Sequence, residues 1–378
     1  MSGELTQAPV GSSVNELIAS VRERGTVSRE ELVALLACDD REATALCRAA
    51  DEVRQQVVGD EVHLRALIEF SNHCRRNCHY CGLRRDHRAL ERYRMTPEEI
   101  VAVAIQAAGM GYGTVVLQSG EDPWYTATML AAIVREIKHE TELAVTLSVG
   151  ERSEEEYRLL REAGADRFLL RIETSSPTLY RELHAGSAGL LAGIQESVSP
   201  AYPDSDWNQR LECLKALRWL DYQVGSGVMI GLPGQSSELL ADDLLFLQSL
   251  ELDMIGVGPF IPHPATPLSK AAGGTLELAL RFVACLRLLC PEALIPATTA
   301  LGALAPNGRQ LALQAGANVM MPNCTPVQYR EKYQLYPGKI CLGESAVECR
   351  ACVEVIVRSV GRRVGTGRGD SLQAMAMK

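Results

Sequence analysis

The chain has 378 residues, of which 47% are hydrophobic, and its formal net charge is −9. This length allows one large domain or two ordinary ones, and the acidic balance disfavours binding to nucleic acid or other polyanions. It has twelve cysteines, no run of about 18 apolar residues, and no basic region followed by an apolar one at its start. We therefore expect a cytoplasmic protein with reduced, metal-binding thiols and no membrane partner.

The first sixty residues form two predicted segments. Residues 1–12 are polar and are predicted to be a mobile N-terminus. Residues 13–60 are predicted to form a helical cap of two or three short helices, because apolar residues recur at helical spacing from Val14 to Val21. Ser28 followed by Glu31 is typical of a capping box at the start of a helix.

Residues 61–335 alternate short apolar strands with longer amphipathic helices. The eight predicted strands are Leu64–Phe70, Thr114–Ser119, Leu143–Val149, Phe168–Glu173, Val224–Ile230, Met254–Phe260, Ile295–Thr299 and Asn318–Pro322. Eight such units are typical of an α/β fold of the (βα)8 TIM-barrel type. A doubly wound open sheet is the alternative, and counting strands does not exclude it.

Local patterns within this region mark two helix starts and one insertion. Thr96 and Ser153 each have a glutamate three residues later, which predicts a capping box at each position. The interval near 186–206 is rich in Gly and Pro and is too long for an ordinary connection. We interpret it as a surface insertion or a lid over one barrel mouth.

Three cysteines follow the first predicted strand at C-x3-C-x2-C spacing. They are Cys74, Cys78 and Cys81. Three thiolates on one tight loop can bind three irons of a 4Fe–4S cluster and leave the fourth open to a small chelating molecule. The spacing, with Tyr80 before the last cysteine, resembles that of the radical S-adenosylmethionine (SAM) enzymes. The alternative is a zinc site with a nearby histidine as fourth ligand.

Polar residues cluster at the ends of the predicted strands, where a (βα)8 barrel carries its function. Arg171 and Glu173 are two residues apart in a strand, so they share one face. Inward charges in a barrel need partners or a ligand. A zwitterion such as SAM would satisfy both charges, and an internal salt bridge is the alternative.

Residues 336–378 are predicted to be a C-terminal extension with a second group of cysteines at C-x7-C-x2-C spacing. The group consists of Cys341, Cys349 and Cys352. Because there is no fourth cysteine, water or another residue would have to complete a cluster, and the alternative is three incidental cysteines. The tail from Gly361 is rich in Gly and Arg and is predicted to be loosely ordered.

Longer stretches resemble the HydE family, the radical SAM maturases of FeFe hydrogenase. Among them are CRRNCHYCGLRRDHRALERYRMTPEEI, VVLQSGEDPWY, GVGPFIPHPATPL and YREKYQLYPGKIC, and the similarity runs from about residue 30 to 358. The resemblance implies a complete (βα)8 TIM barrel that N-terminal helices close at one end. The chain departs from the family in the stretch Gly186–Asp206, which is longer than expected and puts the position of Arg210 in question.

The resemblance also implies roles for individual residues. Cys74, Cys78 and Cys81 would hold the 4Fe–4S cluster. The residues implied to bind SAM are Tyr80, Ser119, Gly120, Glu121, Glu173 and Arg210. The residues implied to line the substrate cavity are Thr146, Arg167, Arg171, Met254, Thr298 and Thr299. The residues implied to bind a second cluster, of 2Fe–2S type, are Cys341, Cys349 and Cys352.

The family's activity is the reductive cleavage of SAM to a 5′-deoxyadenosyl radical during assembly of the hydrogenase di-iron site. The implied substrate is a small iron complex, a cysteine-bound iron carbonyl–cyanide precursor. The implied partners are an electron donor such as ferredoxin or flavodoxin and the other hydrogenase maturation proteins. The enzymatic alternatives are a methylornithine-synthase-like reaction on an amino acid and a biotin-synthase-like sulfur insertion. The remaining alternative is a scaffold that only binds a metal or an iron–sulfur cluster.

Overall fold

A computed structural model describes residues 13–24, 26–184 and 205–376. The predicted mobile N-terminus, 1–12, lies outside the described residues, as does the predicted insertion near 186–206 except for its last two residues. Within the described parts of the chain, no helix is both long enough and apolar enough to cross a membrane.

Helices make up most of the regular structure. In the described residues they are α1 Val14–Arg24, α2 Arg29–Ala37, α3 Asp40–Val58, α4 Pro97–Gly109, α5 Ala127–Glu140, α6 Glu154–Glu162, α7 Pro177–His184, α8 Trp207–Trp219, α9 Ser237–Ser249, α10 Leu276–Leu289, α11 Thr299–Leu304, α12 Gly308–Gln314, α13 Val327–Arg330, α14 Ala346–Ser359 and α15 Leu372–Ala376. The capping boxes predicted at Ser28, Thr96 and Ser153 are all present at the starts of α2, α4 and α6.

The strands are short, and all of their pairings are parallel. In the described residues they are β1 Glu61–Leu64, β2 Ala66–Ser71, β3 Thr114–Ser119, β4 Ala144–Ser148, β5 Arg167–Leu169, β6 Gln223–Ser226, β7 Met229–Ile230, β8 Met254–Ile255, β9 Gly258–Pro259, β10 Val319–Met320 and β11 Arg363–Val364. Helices separate successive strands of the main sheet, which is therefore an α/β arrangement.

The main sheet has six strands in the order β2-β3-β4-β5-β6-β8. A second sheet joins β10 to β1 and β1 to β11, and β7 pairs with β9. Single parallel bridges continue the pairing beyond β8 and back to β2, joining Met254 to Leu294, Pro296 to Val319 and Asn323 to Leu67. The two edges of the main sheet thus approach one another through residues 294–296 and β10, as in a barrel.

Seven of the eight predicted strands overlap strands of the structure, and the interval Ile295–Thr299 does not. Pro296 has no amide hydrogen to donate to a ladder, and it makes only the single bridge to Val319. Thr298 is the N-cap residue of α11, which begins at Thr299. The apolar start of this interval favoured a strand, but its second half belongs to a helix.

The N-terminal helices pack on the outer helices of the second half of the molecule. α2 contacts α9 and α10, and α3 contacts α10 and α12. The core lies between the helices and the sheet. Examples of its fully buried side chains are Phe70 on β2, Leu147 on β4 and Phe168 on β5. Burial of this apolar surface is the main term that stabilises the fold.

The C-terminal tail, as far as residue 376, packs against the rest of the molecule, so the prediction of a loose tail is wrong for these residues. Its backbone and side chains contact residues at the amino ends of the strands. The Gly369 carbonyl accepts a hydrogen bond from Arg65 at 3.2 Å, and Asp370 pairs with Arg167 at 2.6 Å. The Ser371 amide donates to Gln223 at 3.0 Å. These hydrogen bonds and the ion pair hold the tail against the amino ends of the strands.

Candidate active site

A cavity of about 390 Å³ lies on the inner face of the main sheet. Strands β2, β3, β4, β5, β8 and β10 all contribute residues to its wall. Cys74, Cys78 and Cys81 open into it, and so do Cys341 and Cys349 of the C-terminal extension. One chamber therefore meets both groups of cysteines that the sequence singles out.

The loop that carries the cysteine triplet rests on the end of β3. The Cys74 sulfur accepts a hydrogen bond from the Glu121 amide at 3.3 Å. A Cβ atom added at Gly120 would lie 2.2 Å from the His73 carbonyl oxygen and 2.9 Å from the Cys74 Cβ. Only glycine allows the two backbones to approach this closely.

The three thiols share an environment that opposes free thiolates. Burial raises the pKa of Cys74, raises the pKa of Cys78 to about 12, and raises the pKa of Cys81. The neighbouring cysteines add to the shift at Cys78 and Cys81, because a second negative charge nearby disfavours the first. A metal centre supplies the positive charge that offsets both effects, so the site fits an iron–sulfur cluster.

Two buried carboxylates and their arginines lie beside this loop. Glu121 pairs with Arg75 at 2.5 Å and with Arg76 at 2.9 Å. Glu151 pairs with Arg76 and with Arg210, each at 2.7 Å. Burial would raise the pKa of the Glu121 carboxyl, but Arg76 and Arg75 outweigh burial and hold that pKa below its usual value.

Glu151 pairs with two arginines that line the chamber, Arg76 and Arg210, and sequence reasoning missed it. It is 3% exposed, and besides its two arginines it accepts a hydrogen bond from Ser205 at 3.0 Å. In the sequence it stands two residues before Ser153, where it resembles the exposed acidic residues of the helix start that follows. Its partner Arg210 lies at the predicted place beside the chamber, despite the long interval before it.

Arg171 and Glu173 both line the chamber and form the internal salt bridge that the sequence left as an alternative. Their side chains approach to 3.0 Å. Arg171 also donates to the Val228 carbonyl at 2.7 Å, and its own carbonyl accepts from Arg210 at 2.9 Å. Glu173 has a φ of 67°, which is rare for a residue with a side chain. Burial raises the pKa of its carboxyl in spite of Arg171.

Tyr80 and Ser119 complete the set of residues expected at SAM. Both line the chamber. The Tyr80 hydroxyl lies 2.9 Å from His184 Nε2, and the Ser119 hydroxyl donates to the Gly120 carbonyl at 2.7 Å. With Glu121, Glu173 and Arg210, every residue assigned to SAM by resemblance therefore borders one cavity.

The deeper part of the chamber contains hydroxyl groups without partners. Thr146, Met254, Thr298 and Thr299 all line it. Among the described residues, the buried hydroxyls of Thr146 and Thr298 have no hydrogen-bond partner, whereas Thr299 lies 2.7 Å from the Tyr336 hydroxyl. Buried hydroxyls of this kind are available to a ligand.

Arg167 does not line the chamber, so this part of the prediction needs correction. Its guanidinium is fully buried at the amino end of β5, where it binds Asp370 at 2.6 Å, Thr114 at 2.9 Å and Gln223 at 3.1 Å. Arg167 and Arg171 are four residues apart in an extended segment, which separates them by about 13 Å. Arg167 therefore lies at the amino end of β5, whereas Arg171 lies at the chamber.

Arg65 is a buried arginine that also lines the chamber and that sequence reasoning missed. Arg65 is 4% exposed, and its Nη1 atom lies 2.7 Å from the Met254 sulfur. In the described residues no salt bridge joins it to a carboxylate, and burial lowers its pKa well below the usual value. Arg65 is the single residue between β1 and β2, and it lies outside the cysteine motif that begins at Cys74, so no local sequence pattern indicated a role for it.

The second group of cysteines is only partly assembled. The ligand atoms of Cys341, Glu344 and Cys349 lie within 4.8 Å of one another, whereas Cys352 is exposed. The Arg330 guanidinium donates to the Cys349 sulfur at 3.4 Å. The hydrogen bond from the Cys341 thiol, aided by Arg330, lowers the pKa of Cys349 to about 6. The structure thus brings two of the three predicted ligands together.

Known proteins resemble this chain over most of its length. Residues 68–247 match the model of the radical SAM superfamily. The chain is 50% identical over 348 residues to the FeFe hydrogenase maturase subunit HydE of Thermotoga maritima. The aligned region covers 92% of this chain and 94% of that protein. It is 28% identical over 297 residues to the 3-methylornithine synthase of Methanosarcina acetivorans, covering 78% of this chain and 79% of that protein.

The fold is also found among solved structures. The crystal structure of methylornithine synthase, PylB, has a TM-score of 0.77 and 26% identity, and the match covers 94% of this chain and 97% of that one. Membership of the radical SAM superfamily implies a 4Fe–4S cluster and SAM as cofactors. The identity over nearly the full length of the Thermotoga protein is more specific still. The chain therefore belongs to the radical SAM superfamily and, within it, to the family of the FeFe hydrogenase maturase subunit HydE.

Proposed function

We propose that this radical SAM enzyme binds a 4Fe–4S cluster through Cys74, Cys78 and Cys81 and acts in assembly of the di-iron site of FeFe hydrogenase. One observation carries the proposal. The three cysteines, the polar residues expected at SAM and the unpartnered hydroxyls of the inner chamber all open into one cavity. A scaffold that only binds metal would not need this enclosed chamber beside its cluster.

When it is bound, the cluster supplies the electron that cleaves SAM to methionine and a 5′-deoxyadenosyl radical. The protein's own residues bind and orient SAM for this step. Glu173 offers a carboxylate to the methionine amino group, and Arg210 offers a guanidinium to polar oxygens. Tyr80 and Ser119 border the same space, and Gly120 leaves room for close approach of the ligand to the backbone.

The inner chamber suits a cysteine-bound iron carbonyl–cyanide complex as substrate. Such a complex carries negative charge, and Arg65 and Arg171 present guanidinium groups to the chamber. The free hydroxyls of Thr146 and Thr298 can donate hydrogen bonds to cyanide nitrogen or carboxylate oxygen. Enclosure within the barrel keeps water and other reductants away from the radical.

We further propose that the barrel is complete, and the bridges at Leu294, Pro296 and Asn323 support closure. The reducing cytoplasm is the compartment we propose, since it keeps the ligating thiols reduced. Ferredoxin or flavodoxin would supply electrons, and the other maturation proteins would deliver the substrate and receive the product.

A second cluster, of 2Fe–2S type, is proposed at Cys341, Cys349 and Cys352. Two of these sulfurs and the Glu344 carboxylate are already close together. Cys352 follows Cys349 by three residues in α14, so a change of rotamer and a small adjustment bring it to the same side of the helix. Glu344 or a water molecule would complete the coordination in the absence of a fourth cysteine.

The test is anaerobic reconstitution with iron and sulfide, followed by reduction with dithionite in the presence of SAM and chromatography for 5′-deoxyadenosine. Three substrates are compared, namely the cysteine-bound iron complex, free cysteine and lysine. We expect the iron complex to stimulate product release most. Cys78→Ser should abolish SAM cleavage, whereas Cys47→Ser, a matched change in helix α3, should leave it unchanged.

Each other outcome would discard part of the proposal. Stimulation only by an amino acid would keep the radical chemistry and replace the maturase role by a methylornithine-synthase-like reaction. An intact cluster that binds SAM without cleaving it would favour the scaffold. Full cleavage by the Cys78→Ser protein would contradict the assignment of the cluster ligands.

A further inference from the structure

The last turn of α7 contacts the cysteine loop at two points. The Leu183 carbonyl accepts a hydrogen bond from the His79 amide at 2.8 Å. One residue further on, His184 Nε2 lies 2.9 Å from the Tyr80 hydroxyl, and the two rings meet edge to face at 5.5 Å. This turn therefore touches both residues that separate Cys78 from Cys81.

The contact made by His184 Nδ1 determines which group is the donor in the hydrogen bond between Tyr80 and His184 Nε2. His184 Nδ1 lies 2.8 Å from the Tyr180 carbonyl oxygen, which can only accept, so Nδ1 carries the proton. Nε2 then has a free lone pair, and the Tyr80 hydroxyl must donate to it. Burial and the nearby Arg210 lower the pKa of His184 to about 3, so the ring stays neutral and keeps this arrangement near neutral pH.

His184 is itself firmly held. It is 3% exposed, and the Tyr180 ring stacks on it with centroids 3.9 Å apart and planes 25° apart. Tyr180 is fixed in turn by Ser205, whose hydroxyl lies 2.5 Å from the tyrosine hydroxyl and donates to Glu151 at 3.0 Å. A rigid acceptor of this kind restricts the tyrosine that binds to it, since the tyrosine loses rotamer freedom before any ligand arrives.

We propose that His184 is a positioning residue, which fixes the Tyr80 ring beside the cluster loop in the orientation that SAM requires. The inference rests on the proposed function, because it assumes that SAM binds next to Tyr80. Tyr80 packs against the apolar cluster that includes Leu183, Leu232 and Phe260, and it also lines the chamber. Without its hydrogen bond the ring can turn about its side-chain torsions, and SAM binding then has to restrict it.

The test compares Tyr80→Phe, His184→Leu, the double variant and His184→Gln in the reconstituted full-length protein. Tyr80→Phe removes only the hydroxyl, His184→Leu removes only the acceptor, and His184→Gln offers an amide oxygen near the position of Nε2. His139→Leu, a change at an exposed histidine of α5, is the control. The measurements are iron content, KM and kcat for SAM cleavage, and the change that SAM causes in the EPR spectrum of the reduced cluster.

We expect Tyr80→Phe and His184→Leu each to raise KM for SAM about three- to ten-fold, with iron content and kcat little changed. The double variant should be no worse than either single one, because both changes remove the same hydrogen bond. His184→Gln should recover much of the loss. The SAM-induced EPR change should need higher SAM concentrations in the two impaired proteins.

Three outcomes would overturn the inference. The first is a KM for SAM in the Tyr80→Phe protein that equals the wild-type value. This test can be made even if the His184→Leu protein fails to fold. The second is a double variant whose effect is the product of the single effects. The third is loss of iron in both single variants with an unchanged KM per cluster, which would make the contact a support of the loop alone. Absence of SAM cleavage in the wild type would instead overturn the proposed function and this inference with it.

Discussion

Glu173 combines a strained backbone with a carboxyl group in an unfavourable environment. Its φ of 67° holds the side chain in the chamber, and burial raises its pKa although Arg171 lies 3.0 Å away. Strain and a shifted pKa together are found most often at functional sites. The positive groups of a bound SAM would favour the charged form of Glu173 and so lower its pKa again.

This residue should give SAM binding a dependence on pH. As the pH falls towards the raised pKa, Glu173 takes up a proton and loses the negative charge that attracts the SAM amino group. KM for SAM should therefore rise as the pH is lowered. Glu173→Gln should raise KM at neutral pH by about ten-fold or more, because it replaces a charge-assisted hydrogen bond by a neutral one, and should flatten the pH profile.

Steady-state measurement of 5′-deoxyadenosine formation from about pH 6 to 8.5 checks this prediction. Glu142→Gln, at an exposed position between α5 and β4, is the control and should follow the wild-type profile. A Glu173→Gln protein whose KM rises on acidification as steeply as that of the wild type would assign the pH dependence to another group.

The sequence could predict single residues only where a short-range pattern located them. The C-x3-C-x2-C spacing identified the cysteine loop, and strand alternation placed Arg171 and Glu173 on one face. The family resemblance, and not this alternation, assigned Arg167 to the cavity, whereas the structure buries it at the amino end of β5 against Asp370. Arg65 and Glu151 act through contacts with residues far away in the sequence, and no local pattern distinguishes them.

Among whole elements, capped helices were more predictable than the strands. The cap residues Ser28, Thr96 and Ser153 accept hydrogen bonds from amide groups three residues away. A short stretch of sequence is therefore enough to predict where these helices begin. Strand ends depend on partners elsewhere in the chain, which is why the predicted strand from Val224 is divided into β6 and β7. The tail from Gly361 was the largest error, because the charges that hold it belong to the barrel.

The tail is expected to contribute strongly to stability through Asp370. Asp370 is the carboxylate that neutralises the fully buried Arg167, and it also accepts from Gln223 at 2.7 Å. Asp370→Asn leaves a buried guanidinium without its counter-charge, so the free energy of unfolding should fall by about 3 kcal/mol. Urea unfolding of the apoprotein, followed by circular dichroism, measures this change.

A paired variant separates the charge effect from a loss of packing. Arg167→Met combined with Asp370→Leu removes both charges and should recover most of the lost free energy. Asp242→Asn is the control, because its partner Arg29 is exposed and the pair should contribute less than about 1 kcal/mol. Equal losses from Asp370→Asn and Asp242→Asn would show that the tail does not hold the barrel floor.

At the scale of the whole molecule, different parts of the fold hold the two groups of cysteines. In the C-terminal extension, Lys339 pairs with Glu69 of β2 at 2.5 Å, and Cys341 follows two residues later. Both charges are buried, so the pair fixes the extension against the chamber wall. The cysteine triplet, in contrast, is carried by the loop after β2 and supported by β3 and α7.

The proposed second cluster should therefore be separable from the proposed 4Fe–4S site. Cys349 lies in α14, which packs on α12 and β11, whereas the loop of the triplet is held by the end of β3 and by α7. Cys349→Ser should lower the iron content of the reconstituted protein by about two atoms per chain, the content of a 2Fe–2S cluster. The 4Fe–4S signal and the rate of SAM cleavage should stay within about two-fold of the wild type, since the triplet and its supports are intact.

Iron analysis, EPR of the reduced protein and 5′-deoxyadenosine assays on one preparation decide the matter, with Cys47→Ser as the control. Unchanged iron content in Cys349→Ser would remove the second cluster from the description of this protein. A loss of SAM cleavage that parallels the loss of iron would mean that changes in the extension alter the structure of the cysteine triplet. The buried Lys339–Glu69 pair would then couple the extension to β2 and the triplet. Lys339→Met should in that case reproduce the loss of SAM cleavage although it removes no thiol.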